Sequence, residues 1–268
     1  VTGGAEGAGF VDLDWRGRPL RLECAWVGAP RDRARPTVVF LHEGLGSVSM
    51  WRDFPRAFCE RHGFAGFVFS RAGYGRSTPR APDEHWQPDF MARQADEVLP
   101  ALFATTGIER PWLFGHSDGG TIALLHAARH DVAGVVAVAP HLFVEDVSVT
   151  SIAQARDAYR ASDLRDRLAR HHADVDSAFY GWNDVWLMPA FRGWNVEREI
   201  ATIACPVLAV QGEDDEYGTL EQVHAIVRRL PKTRLLVIPK CGHSPHRDQP
   251  EILSREAGRF IVGAASTH

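Results

Sequence analysis

Six short runs of apolar, largely β-branched residues recur along this 268-residue chain and limit what it can fold into. They lie at 37–41, 67–69, 112–114, 135–138, 207–210 and 235–238. Continuous rather than alternating hydrophobicity marks strands covered on both faces. Helical spacings fall between several of them. Phe90, Met91, Ala95, Val98, Leu99 and Leu102 form one, with Pro100 expected to kink it; Ile122 and Leu125 begin a second, and Ile226, Val227 and Leu230 a third. Strands alternating with helices predict an α/β fold, a mostly parallel central sheet of about eight strands with helices on both faces. A β-hairpin, 10–14 and 20–26 joined by Arg16-Gly17-Arg18-Pro19, opens the chain.

One interval breaks the alternation. From 141 to 200 no buried-strand pattern occurs; a charged helical stretch at 156–170 is followed by Phe179, Tyr180, Trp182, Trp186, Phe191 and Trp194. A segment of that length is not a plain loop. It reads as a helical cap folded over one end of the sheet, which divides the chain into a flexible N-terminus (1–9), a core (10–140 and 201–268) and the cap (141–200). The charged helix reads as a solvated face, and the aromatic cluster as packing more readily than as pocket wall.

Composition narrows the partners. With 45% apolar and 24% charged residues the chain is globular, and 30 basic against 34 acidic residues leave a net charge of −4 with no basic cluster. No nucleic-acid partner is expected. No run reaches the roughly 18 apolar residues of a membrane span, and no secretory leader pattern is visible, so no membrane association and a cytoplasmic location are expected. Cys24, Cys59, Cys205 and Cys241 are widely spaced with no C-x-x-C pair, which reads as reduced thiols rather than a disulfide framework or zinc site. Among the thirteen histidines none makes H-E-x-x-H, and no metal or cofactor is expected. The expected partner is a small-molecule substrate, and the assembly a monomer or homodimer.

Chemistry concentrates at Gly115-His116-Ser117-Asp118-Gly119, which follows the run at 112–114 and opens a helix. A G-x-S-x-G at a strand-to-helix turn pushes the serine hydroxyl out at the sheet's carboxyl edge, above a helix N-terminus. Ser117 is the candidate nucleophile. It needs a base, and the base a carboxylate, each just past a later strand. The run at 207–210 is followed by Glu213-Asp214-Asp215-Glu216, four carboxylates; the run at 235–238 is followed by Gly242-His243. His243 has the required placement, whereas His246 and His42 do not.

In this combination, from about residue 10 to 262, the chain resembles α/β-hydrolase-fold enzymes with a helical cap, in particular the meta-cleavage-product hydrolases and related carboxylesterases. The resemblance implies that the acid is the Asp of a G-x-x-D pattern, which selects Asp215 over Asp214, and that His243 belongs to the family's last motif. The family's His-Gly-x loop corresponds to His42-Glu43-Gly44, which puts one oxyanion N–H on Gly44 and the second on Asp118. Two positions depart from the pattern: Glu43 stands where Gly is customary, and Ser70, in Ser70-Arg71-Ala72-Gly73-Tyr74-Gly75-Arg76-Ser77, where Asp is usual.

A serine at 117 does not suit dehalogenases or epoxide hydrolases of this fold, which use Asp. Carbon–carbon hydrolases of the family carry Asn before the nucleophile and Trp after the catalytic His, where this chain has His116 and Ser244. The resemblance therefore implies a serine hydrolase of a small ester or lactone with an apolar or aromatic portion, acting through an acyl-enzyme. A hydrolase of aromatic ring-cleavage products and a ligand-binding receptor of the same fold are the alternatives.

Overall fold

A computed structural model describes residues 7–265 apart from Arg33 and Pro82. Eight strands form one sheet: Gly7–Trp15 (β1), Arg18–Gly28 (β2), Thr37–Leu41 (β3), Ala65–Phe69 (β4), Trp112–His116 (β5), Gly134–Val138 (β6), Val207–Gly212 (β7) and Arg234–Ile238 (β8). Their spatial order is β1-β2-β4-β3-β5-β6-β7-β8. The β1/β2 and β2/β4 pairs are antiparallel and every later pair is parallel. Each apolar run of the sequence is a strand, and β4 to β7 are buried along their whole length. Helices on both faces explain why these strands do not alternate.

The hairpin extends beyond its sequence pattern at both ends, with Val11, Leu13, Leu20 and Leu22 supplying its buried face. β1 starts at Gly7, so the last three of the nine residues expected to be flexible pair with β2; the first six lie outside the described residues. The helical stretch is broken into Phe90–Arg93, a π-helical turn Gln94–Val98, and Leu99–Thr106 with Pro100 in its first turn, where a missing N–H costs least.

Between β6 and β7 the chain leaves the sheet for the helices Asp146–Ala161, Leu164–Ala169 and Val175–Trp186. The charged stretch 156–170 is thus two helices rather than one. Ser162 is extended between them, its hydroxyl donating back to the Ala158 carbonyl. Of the aromatic cluster, Phe179, Trp182, Trp186 and Phe191 are buried, and Phe179 stacks on Tyr159 with ring centroids 3.7 Å apart. Among the described residues no helix is long and apolar enough to cross a membrane.

β3 lies between β4 and β5, with Leu41 paired opposite Gly115. This register sets the loop after β3 beside the turn after β5, at the point where the strand order reverses and open α/β sheets place their ligands.

Candidate active site

Ser117 sits at φ 52°, ψ −121°, between β5 and the buried helix Asp118–Ala127. For a residue with a Cβ this conformation costs about 1–3 kcal/mol, and surrounding bonds must hold it. The Ser117 N–H donates to the Val138 carbonyl at 2.8 Å, and the Ser117 carbonyl accepts from Gly120 N–H at 2.8 Å and Thr121 N–H at 3.1 Å. A Cβ on Gly115 would strike the Gly119 carbonyl, and one on Gly119 the Leu41 carbonyl. The motif's glycines are therefore required by the close approach of β3, β5 and the helix.

The loops after β7 and β8 meet this turn. His243 Nε2 lies 3.0 Å from Ser117 Oγ, and His243 Nδ1 lies 2.8 and 3.0 Å from the two carboxylate oxygens of Asp215. Asp215 is fixed in turn, accepting from Tyr217 N–H at 2.9 Å and from Gln211 Nε2 at 3.2 Å. Asp214 is exposed and turned away, its N–H donating to the Cys241 carbonyl. Of the two adjacent carboxylates, Asp215 is the one that faces His243. The other two histidines weighed as bases lie elsewhere. His42 bonds to the Glu43 carbonyl and the Arg71 N–H, and His246 packs at 4.9 Å on the Trp51 ring.

Burial alone would lower the His243 pKa, but the Asp215 hydrogen bond and charge outweigh it, with Glu216 and Glu43 adding, and the pKa is raised from the ordinary 6.5. Burial likewise works against an ionised Asp215, yet the bonds from His243 and Tyr217 N–H hold its carboxyl below the ordinary value. The pair is built to stabilise an imidazolium beside a carboxylate.

Of the two expected oxyanion donors, Asp118 follows Ser117 directly and Gly44 lies on the loop after β3, the strand paired with β5. Neither the Gly44 nor the Asp118 N–H donates to an acceptor among the described residues. The Glu43 carbonyl accepts from His42 Nδ1 at 2.7 Å and from Arg71 Nη2 at 2.9 Å. His42 Nε2 accepts from the Arg71 N–H at 3.0 Å, which assigns the His42 proton to Nδ1. A planar trans peptide points its N–H opposite its C=O, so anchoring the Glu43 carbonyl aims the Gly44 N–H the other way.

Sequence reasoning missed what the cap adds. Trp182 and Trp186 are one turn apart on the helix Val175–Trp186 and project on one face. The Trp182 indole covers Gly44 so closely that any Cβ there would collide with it. Trp186 Nε1 donates to Asp118 Oδ1 at 3.2 Å, while Arg71 Nη2 stands 3.8 Å from Asp118 Oδ2. Burial raises the Asp118 pKa, opposed by Arg71 and by the Trp186 bond. The aromatic spacing of the cap was the only signal for these contacts.

A profile of the Alpha/beta hydrolase family matches residues 38–256. The chain belongs to the alpha/beta hydrolase family. This alpha/beta hydrolase is 27% identical over 256 residues to a putative carbamate hydrolase RutD of Caulobacter sp. (strain K31), covering 87% of this chain and 92% of that protein. It is 25% identical over 276 residues to the sn-1-specific diacylglycerol lipase ABHD11 of Mus musculus, covering 91% and 86%. Among solved structures it superposes on the enol-lactonase from Burkholderia xenovorans LB400 with a TM-score of 0.72 at 19% identity, covering 94% of this chain and all of that one. The fold likeness extends to a proline iminopeptidase of Mycobacterium smegmatis, TM-score 0.77 at 18% identity, covering 97% and 99%.

Proposed function

We propose that this alpha/beta hydrolase is a serine hydrolase that cleaves a small carboxylic ester or lactone through an acyl-enzyme on Ser117. The observation that carries the reading is the hydrogen-bonded line Ser117 Oγ–His243–Asp215, with Gly44 and Asp118, whose N–H groups have no acceptor among the described residues, on the loop after β3 and the turn after β5. In this reading Ser117 attacks the carbonyl as His243 takes its proton, and the two N–H groups stabilise the oxyanion. The imidazolium then protonates the leaving alcohol. Water, activated by the same His243, releases the acid. Buried indoles over the site favour a substrate with an apolar or aromatic portion. Relatives named as a putative carbamate hydrolase and a diacylglycerol lipase support a reaction at an acyl carbonyl.

Fluorophosphonate labelling tests the reading directly. Adduct formation at Ser117 is expected, and intact protein unlabelled after prolonged exposure would favour a ligand-binding role instead. In a screen of aryl and short-chain acyl esters, lactones and one dienoate ring-cleavage product, the best ester or lactone is expected to have the highest kcat/KM. Ketonising a dienol requires polar groups to hold the dienolate, and this chain has His116 and Ser244 where carbon–carbon hydrolases have Asn and Trp. A dienoate turned over a hundredfold faster than any ester would reverse the assignment.

The base must be neutral to accept a proton, and Asp215 raises its pKa. Turnover is therefore expected to rise with pH through a midpoint above 6.5, the ordinary histidine value. A kcat/KM profile flat from about pH 5 to 8 would remove His243 from the role.

A further inference from the structure

We propose that Glu43 is a positioning residue: its carboxylate, held between His116 and Arg247, ties the loop carrying Gly44 to the loop carrying His243. The inference rests on the serine-hydrolase reading of the same site. Glu43 stands where the family pattern has glycine, so a carboxylate enters a region where an oxyanion must form. Its placement resolves the conflict. The side chain is only 17% exposed, with Oε2 3.5 Å from His116 Nδ1 and Oε1 3.5 Å from Arg247 Nη2. These are ion-pair distances. They engage the carboxylate on the histidine-loop side, while the Glu43 carbonyl is held separately by His42 and Arg71.

His116 completes the link. It is 1% exposed, and its Nε2 donates to the backbone carbonyl of His243 at 2.7 Å. Its Nε2 is bonded to one loop, and its Nδ1, which makes no hydrogen bond among the described residues, lies 3.5 Å from the Glu43 carboxylate on the other. Arg247, four residues beyond His243, returns to the first loop a second time through the Met50 carbonyl at 3.2 Å. The base and the Gly44 donor must keep one spacing as the tetrahedral centre forms, and a displacement of about 1 Å can cost roughly 100-fold in rate. A glycine at 43 would leave His116 Nδ1 and Arg247 without this shared anchor.

Glu43 also has an electrostatic effect that a purely steric tie would lack. Burial opposes its ionisation, but His116, His246 and Arg247 hold its carboxyl well below the ordinary value, so it is charged at neutral pH. Around His243 stand Asp215, Glu216 and Tyr217 from the loop after β7, His141 from that after β6, His116 from β5, His246 from its own segment, and Glu43. Glu43 is one of the groups that raise the His243 pKa.

The test compares the full chain with Glu43→Gln, His116→Phe, His116→Gln and the double variant Glu43→Gln/His116→Phe. Glu43→Gln and His116→Phe are each expected to lower kcat on an aryl ester about 10- to 100-fold, with KM changed less than about threefold. The double variant is expected to lose little more than the worse single, because both break one link. His116→Gln, which keeps a donor for the His243 carbonyl, is expected to recover most of the activity lost in His116→Phe. In Glu43→Gln the His243 ring, titrated by NMR, is expected to reach its midpoint roughly half a unit to one unit lower. The titration needs no substrate, so it judges this inference even where no ester is turned over, while labelling at Ser117 judges the reading beneath it. Turnover within about twofold of wild type, an unmoved midpoint, or losses that multiply independently would each overturn the proposal. Where Glu43→Gln does not fold, Glu43→Asp, which keeps the charge but withdraws it by one methylene, is expected to lower kcat without moving the midpoint as far. Glu43→Asp with wild-type kcat would overturn the proposal.

Discussion

Ser117→Ala is expected to abolish ester hydrolysis almost completely, on the order of a millionfold in kcat where the acyl-enzyme route carries all turnover. The hydroxyl is the only group removed, and its one described side-chain contact is the 3.0 Å approach to His243 Nε2. The backbone at φ 52° is held by Val138, Gly120 and Thr121 through main-chain bonds that alanine keeps, and alanine bears the same strain there as serine. Thermal unfolding is therefore expected to stay within a few degrees of wild type. Fluorophosphonate labelling is expected to disappear along with turnover. Retention of more than about a tenth of wild-type kcat, measured on protein freed of contaminating esterases, would mean that Ser117 is not the nucleophile.

The fold and the places of the serine and the histidine were legible because each lies just past a strand written as an unbroken apolar run, β5 buried along its whole length and β8 half-buried at the sheet's edge. β5 ends in His116 and Ser117 follows; β8 ends in Ile238 and His243 lies five residues on. Where a feature depends on two segments that meet only in the folded chain, one sequence offers little. Arg71 fixes the Glu43 carbonyl across 28 positions, and Trp186 reaches Asp118 across 68. The aromatic cluster of the cap was visible, but its amphipathic spacing fits a packed helix whether or not an indole N–H finds a carboxylate at the far side. Glu43 was conspicuous as a departure from pattern. Its direction was not, because it depends on His116 and Arg247 lying on the same side of the loop. The charged stretch at 156–170 reads as one helix because its composition is uniform; at its break Ser162 is extended and its Oγ accepts from the Leu164 N–H, a local bond that propensity summed over a window does not register.

Asp215→Asn is expected to lower kcat on the order of 10⁴-fold, and Asp214→Asn by less than about threefold. The two residues are adjacent and chemically identical, so the contrast isolates position from charge. Asp215 must accept from His243 Nδ1, from Tyr217 N–H and from Gln211 Nε2. An amide supplies one acceptor oxygen and one donor nitrogen, so either orientation turns an N–H toward a group that also donates. With the nitrogen toward His243, the ring must present a bare Nδ1 and carry its proton on Nε2, where it cannot accept the proton of Ser117. With the nitrogen toward Gln211, the tautomer survives but two donors oppose each other and the negative charge that stabilises the imidazolium is gone. The same loss of charge predicts a second effect, since Asp215 is the largest of the groups raising the His243 pKa: the acid limb of kcat/KM is expected to move to lower pH in Asp215→Asn. Asp214 is exposed and touches this network only through its backbone, so its amide variant leaves both kcat and the acid limb near wild type. Steady-state kinetics of both variants across pH, with circular dichroism to establish that each is folded, decides the matter, and a larger loss in Asp214→Asn than in Asp215→Asn would place the orienting carboxylate one residue earlier.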